Sequence, residues 1–228
     1  MSEDEPHYVG HRERLRERFR STNGEGFQDY EWLELLLTYA IPRGDVKPIA
    51  KGLLEKFGSL SAVLKASRDE VQEVKGVGEV TSTFFPLLKL ISARYLEEEL
   101  KSGEALDGPE EVVGFARTRL AGEDTEQFLV VYLDKGNNLL KSEIIEEGTV
   151  DQLKLYPRKI LEEALEVGCS RLVIVHNHPS GVTEPSLEDE KLTRQLEKSL
   201  DPLSLKLIDH IIVTDDGYYS FSENDLLK

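Results

Sequence analysis

The sequence predicts an α/β protein in two parts: an all-α N-terminal domain over residues 1–100, then a mixed β-sheet with flanking helices over residues 104–228. Three observations carry this. Between Asp29 and Glu99 apolar residues recur at helical spacing (Trp32, Leu35, Leu36, Tyr39; Ile49, Leu53, Leu54, Phe57; Leu60, Val63, Leu64), with Pro42, Gly44, Gly58 and Gly76 as breaks. After Arg94 the run YLEEELKSGEALDGPEEV is charged and turn-forming, which places a linker there and a boundary near Gly103. Beyond it, short apolar runs alternate with helical ones, as in a sheet covered by helices.

The helical part opens on GHRERLRERFR, where five arginines occupy every second position from Arg12 to Arg20 and Leu15 and Phe19 share one face. A short amphipathic helix fits. Ion pairs to Glu13 and Glu17 on a solvated face account for these arginines more simply than phosphate contact does. In the second part FLVVYLD and LLKSEIIEEG read as strands of a hairpin joined by KGNN, whose Gly136, Asn137 and Asn138 tolerate positive φ. Pro157 opens a helix through Glu166, with Gly168 near its end, and RLVIVHN is an apolar strand of the buried kind. Ser186 starts a further helix to about Leu200, and LKLIDHIIVTDD and GYYSF supply the closing strands.

Composition narrows the function classes. At 39% apolar and 32% charged the chain is expected to fold throughout most of its length. The net charge of −16 is uneven: residues 1–100 hold 14 basic against 18 acidic side chains, and residues 101–228 hold 14 against 26. An acidic surface repels phosphates, so DNA contact is expected only from the first half. The single cysteine, Cys169, excludes an intrachain disulfide and a cysteine zinc cage, and it reads as core packing rather than a nucleophile. The N-terminal stretch lacks the basic-then-apolar pattern of a signal peptide, and no run of 18 apolar residues follows. A soluble cytoplasmic protein without a membrane segment is the expectation.

The segment HNHPSGVTEPSLED carries the chemistry. His176 and His178 are two apart at the end of a strand, so both imidazoles lie on one face and reach one ion. The chain then turns and enters a helix at Ser186, whose third following residue, Asp189, is brought back toward the histidines. Two nitrogens and one oxygen leave a fourth position open, the pattern of a catalytic zinc site. Ser186 and Asp189 also fit a helix-capping motif, which explains that pair but not the two histidines.

His176-x-His178, seven residues, Ser186, two residues and Asp189 resemble the JAMM (MPN+) metalloprotease motif. The surrounding HNHPSG, YPRKILEEALE, DHIIV and YYSF are similar to the RadC family, historically labelled DNA repair proteins, over nearly the whole chain. Val182 stands where many relatives have an acidic residue, which removes no ligand. The resemblance implies a JAB/MPN domain of deaminase-like layer order, with one Zn2+ per chain held by His176, His178 and Asp189. It implies Glu126, in TEQFLVVYLD, as general acid/base for a metal-activated water that cleaves a peptide or isopeptide bond, with Glu123, Glu143 and Glu146 as alternatives. Ser186 is then expected to donate to the developing oxyanion or to the water. His210 reads as a sheet histidine, with a place behind the metal ligands as the alternative.

In the first half VKGVGEVTSTFFPLL resembles a helix-hairpin-helix, whose glycines let backbone N–H groups approach a phosphate. IPRGDVKPIAKGLLEKFG is a degenerate partner. Only Lys75 adds charge there, and Glu79 opposes it, so DNA contact through residues 1–100 is expected to be non-specific. The partner of the second half is expected to be a protein or peptide substrate. The alternative to the hydrolase is a DNA-binding, repair-associated protein whose metal domain mediates interactions. A nucleoside deaminase is excluded, because it needs His-x-Glu and Cys-x-x-Cys ligands that the sequence lacks.

Overall fold

Helix signals in the first half and strand signals in the second both take the expected form in the computed structural model, which describes residues 10–102, 108–120, 125–148 and 157–227. The chain divides into two units, Met1–Leu90 and Ile91–Lys228. The expected boundary near Gly103 lies outside the described residues.

The first unit consists of helices α1 (His11–Thr22), α2 (Asp29–Ala40), α3 (Lys47–Phe57), α4 (Leu60–Lys65), α5 (Arg68–Gln72) and the start of α6 (Glu79–Ser102). Ser59 and Ser67 cap α4 and α5 by accepting from the Ala62 and Glu70 amides, which satisfies N–H groups that a helix start leaves open. Leu33, Leu37, Ala50, Leu53, Val63, Val71 and Phe85 form its core. The expected face of α2 is only partly the buried one. Leu33 and Leu37 are fully enclosed, whereas Tyr39 is 67% exposed. The stretch WLELLLTYA is apolar on several sides, so spacing alone does not select one stripe.

Leu15 is buried and Phe19 packs edge-on to Phe27 and Trp32, as the amphipathic pattern of α1 requires. Its arginines are more engaged than a solvated face. Arg12 donates to the carbonyls of Ile41 (2.8 Å) and Gly44 (2.7 Å) beyond the end of α2. Arg18 makes a two-pronged pair with Glu31 (2.5 and 2.9 Å) and lies over the Phe27 ring, while Arg16 pairs with Glu13. Gly24 has φ +82°, and a Cβ there would lie 2.2 Å from Trp32 Cη2, so only glycine closes this turn.

In the second unit the sheet runs in the order β2-β1-β3-β4-β5, with β1 (Glu126–Leu133), β2 (Leu139–Gly148), β3 (Arg171–Asn177), β4 (Lys206–Val213) and β5 (Tyr218–Ser220). Among the described strands only β3 and β4 pair in parallel, linked through α9 (Leu187–Leu200). The expected hairpin, both expected helices and the closing strands are present. Helix α7 (Pro109–Leu120) is an addition, since its sequence begins inside the charged run read as linker.

The sheet is covered on both faces, and residue parity decides which side chain goes where. Leu129, Val131, Leu133, Val173 and Val175 pack with Val112, Phe115 and Ala116 of α7. Phe128, Val130, Tyr132, Leu172 and Ile174 pack with Ile160 and Ala164 of α8 (Pro157–Glu166) and Leu196 and Leu200 of α9. In β4 the partner of Leu172 is Leu207 and the partner of Val173 is Asp209, so Ile208 is an inserted bulge residue. The bulge reverses the alternation. Beyond it His210, rather than Asp209, shares the α9 side with Leu207.

Candidate metal centre

His176 follows Leu172 and Ile174 in parity, so it points from β3 toward α9. His178 lies one residue past the strand end, and its backbone N–H donates to the Val213 carbonyl of β4 at 3.0 Å. Gly181, at φ +80°, donates its N–H to the His178 carbonyl and turns the chain back toward α9. Ser186 caps that helix: its hydroxyl oxygen accepts from the Asp189 amide (3.1 Å), and Asp189 Oδ2 accepts from the Ser186 amide and hydroxyl (both 2.7 Å). The capping box therefore closes the start of α9, as the capping motif implies, and also aims the carboxylate inward.

The three side chains converge. His176 Nε2 lies 2.9 Å from His178 Nε2 and 3.2 Å from Asp189 Oδ1, and His178 Nε2 lies 3.6 Å from Asp189 Oδ2. His176 and Asp189 are fully buried, and His178 is partly so.

Hydrogen positions follow from donor and acceptor counts. The Thr193 hydroxyl donates to the Asp189 carbonyl (2.7 Å), so toward His210 Nδ1, also 2.7 Å away, it accepts. Burial holds His210 well below the usual histidine range, hence neutral, and its Nε2 is left as an acceptor. His176 Nδ1, at 2.9 Å, must then be the donor, which leaves His176 Nε2 with a bare lone pair. His178 Nδ1 donates to the Val182 carbonyl (2.6 Å) and leaves its own Nε2 directed at the same place.

Asp189 Oδ1 is buried and has no hydrogen-bond partner among the described residues. A buried unpaired carboxylate oxygen facing two imidazole lone pairs is costly unless a cation satisfies the set. The residues present fit a metal ion.

Burial lowers the His176 pKa against the pull of Asp189. At His178 burial acts the same way, but Asp189 and the Val182 carbonyl outweigh it and the net shift is upward. Burial pushes Asp189 up, yet its contacts with His176 and His178 hold the carboxyl far below the usual range. Stacked rings fix the imidazole planes: Phe128 on His176 (centroids 4.6 Å apart) and Phe221 on His210 (4.5 Å).

Glu126 opens β1 on the parity of Phe128, and Phe128 pairs with His176. Glu126 therefore stands two residues before the end of the β1–β3 ladder, on the parity of Phe128. Its charge favours the protonated form of both His176 and His178. Of the alternative glutamates, Glu143 pairs with Val130 and is engaged by Tyr132 and Lys141. Glu146 is opposite Phe128 in the ladder, and Glu123 lies outside the described residues.

Sequence reasoning placed His210 as a sheet histidine. It is one, and it is also in contact with His176, a position the unseen bulge creates. Thr193 went unnoticed, although four residues after Asp189 on a helix is the same face. Cys169 belongs to the core on the α8/α9 side, and burial pushes its thiol up to about 11, so it stays inert. No helix among the described residues is long and apolar enough to cross a membrane.

Comparison with known proteins agrees with this architecture. Residues 106–226 match the family described as RadC, RadC-like JAB domain. A UPF0758 protein of Fusobacterium nucleatum is 39% identical over 225 residues, covering 96% of this chain and 97% of that protein.

Proposed function

The chain belongs to the RadC family, and from that membership and the site's geometry we propose that its second unit is a zinc-dependent hydrolase of the JAMM/MPN+ type, cleaving a peptide or isopeptide bond. The observation that carries the reading is the buried convergence of His176 Nε2, His178 Nε2 and the unpartnered Asp189 Oδ1. Two imidazoles and one carboxylate suit zinc, and three protein ligands leave room for a reacting group.

His176, His178 and Asp189 would hold the ion, which supplies Lewis acidity to a substrate carbonyl and to the attacking water. Glu126 is the base. Its carboxylate takes a proton from the water as the water oxygen bonds to the carbonyl carbon, and gives that proton to the amine nitrogen as the C–N bond breaks. The Ser186 hydroxyl donates a hydrogen bond to Asp189 Oδ2 in the resting arrangement, so it orients the carboxylate first. Rotation of that hydroxyl would direct the proton to the developing oxyanion.

The test is metal analysis together with a panel of peptide and isopeptide substrates. The expected result is hydrolysis that needs zinc and falls by about 10²- to 10⁴-fold in Glu126→Gln, with zinc still bound at saturating metal. Purified protein that takes up no zinc refutes the reading.

A second reading concerns residues 1–100. Helix α5, the turn at Gly76 to Gly78 and helix α6 follow one another as a helix-hairpin-helix requires, with Gly76 at φ +95° and the Val77 amide bonded to the Val74 carbonyl. Non-specific contact of this hairpin with DNA phosphates is the expected mode. Retardation of duplex DNA by the full chain at low salt, abolished by Lys75→Glu, tests it.

A further inference from the structure

The ladder between β1 and β3 runs from Leu133↔Arg171 to Phe128↔His176 and stops there, two residues short of Glu126. On this side of β1 a side chain takes over from the backbone. Asn177 Oδ1 accepts the Gln127 amide at 2.7 Å, and Asn177 Nδ2 donates to the Thr125 carbonyl at 3.1 Å. The two backbone groups so held belong to the residues on either side of Glu126. The planar amide of asparagine carries one acceptor and one donor, as a peptide group does, so it adds one rung beyond the end of the strand.

Asn177 is itself anchored. It lies between His176, the last residue of β3 to pair with β1, and His178, whose amide is bonded to Val213 of β4. Asn177 is 8% exposed and Gln127 is 4% exposed, so water does not readily replace these bonds. Aspartate would keep the acceptor and lose the donor, and alanine would lose both.

We propose that Asn177 is a positioning residue of the metal centre, which holds the backbone on both sides of Glu126 and thereby fixes the glutamate relative to His176 and His178. This rests on the zinc reading above. Asn177 acts on the site through Glu126, and not by touching the ion or the substrate.

The test measures zinc affinity of the full chain by competition with a chromophoric chelator, for wild type, Glu126→Gln, Asn177→Ala and the double variant. Removing the nearby carboxylate is expected to weaken zinc by about 10-fold, the lower end for groups that support metal ligands, and Asn177→Ala by a similar factor. The double variant is expected to be no weaker than either single one, because a displaced Glu126 and an absent one are equivalent. Multiplying losses in the double variant, or wild-type affinity in Asn177→Ala, overturn the proposal. A wild-type chain that binds no zinc refutes the zinc reading itself, and is distinguishable because it appears without any variant. Should Asn177→Ala fail to fold, Asn177→Asp carries the same cycle. Amide exchange at Gln127 is then expected to stay slow, since the acceptor is retained, and fast exchange there overturns the proposal.

Discussion

His210 Nε2 lies 2.9 Å from His176 Nδ1, and this contact, backed by Thr193, fixes which nitrogen of His176 is free to bind a metal. His210→Ala removes the acceptor and lets the His176 ring adopt the other tautomer. Zinc affinity is expected to fall by about 10- to 100-fold. Thr193→Val acts in the same direction through His210, and chelator competition measures both.

His178→Ala removes a ligand outright. The wild-type chain is expected to carry about one zinc, and this variant almost none. Chelation provides the second arm: at zinc 1,000-fold above its dissociation constant the native state gains about 4 kcal/mol, so EDTA lowers the wild-type melting temperature. The variant melts at the same temperature with or without EDTA.

Glu31 is expected to make the first unit sensitive to acid. The Arg18 guanidinium, followed by the Gln28 amide, holds its carboxyl below the ordinary value of 4.5. A lowered folded pKa means stability that is present above the unfolded value and lost as pH falls through the folded one. Glu31→Gln is therefore destabilised at pH 7, by about 1 kcal/mol for the weakened cap alone. The gap to wild type shrinks below pH 4.5, as urea unfolding at several pH values would register.

Gly24→Ala asks the turn between α1 and α2 for two things it cannot give, a positive φ and room beside Trp32. A loss of about 2 kcal/mol or more is expected from strain and overpacking together. The Trp32 fluorescence transition in urea reports it. An alanine variant as stable as wild type would show that the indole moves freely.

The convergence of His176, His178 and Asp189 was legible because two simple periodicities meet there: the two histidines obey the alternation of a strand, and Asp189 sits three residues after a capping serine. Glu126 was reached through family resemblance, and the structure adds only that it shares the parity of Phe128 in β1. Other features had no local signature. The pairing of α2 escaped because Trp32, Leu33, Leu35, Leu36, Leu37 and Tyr39 offer more than one apolar stripe. Helix α7 was missed because its first turn, Pro109 to Val112, continues the acidic run before it. The ion pair of Arg16 with Glu13 in α1 was legible from spacing, but the carbonyl partners of Arg12 in the α2–α3 turn are remote in sequence and could only be found in three dimensions.

The bulge at Ile208 ties the identity of the group behind His176 to a count of residues rather than to their kinds. Straightening the strand with Ile208 retained would leave every side chain of LIDHIIV chemically intact, yet it would turn Asp209 toward the site and His210 away. A carboxylate would then face His176 Nδ1 where an imidazole does now. In evolutionary terms, loss of the bulged residue is the tolerated change, because Leu207, Asp209 and His210 would then alternate as a regular strand and His210 would keep its place. A relative that kept the extra residue but lost the bulge would keep His176, His178 and Asp189 and inherit a differently tuned centre.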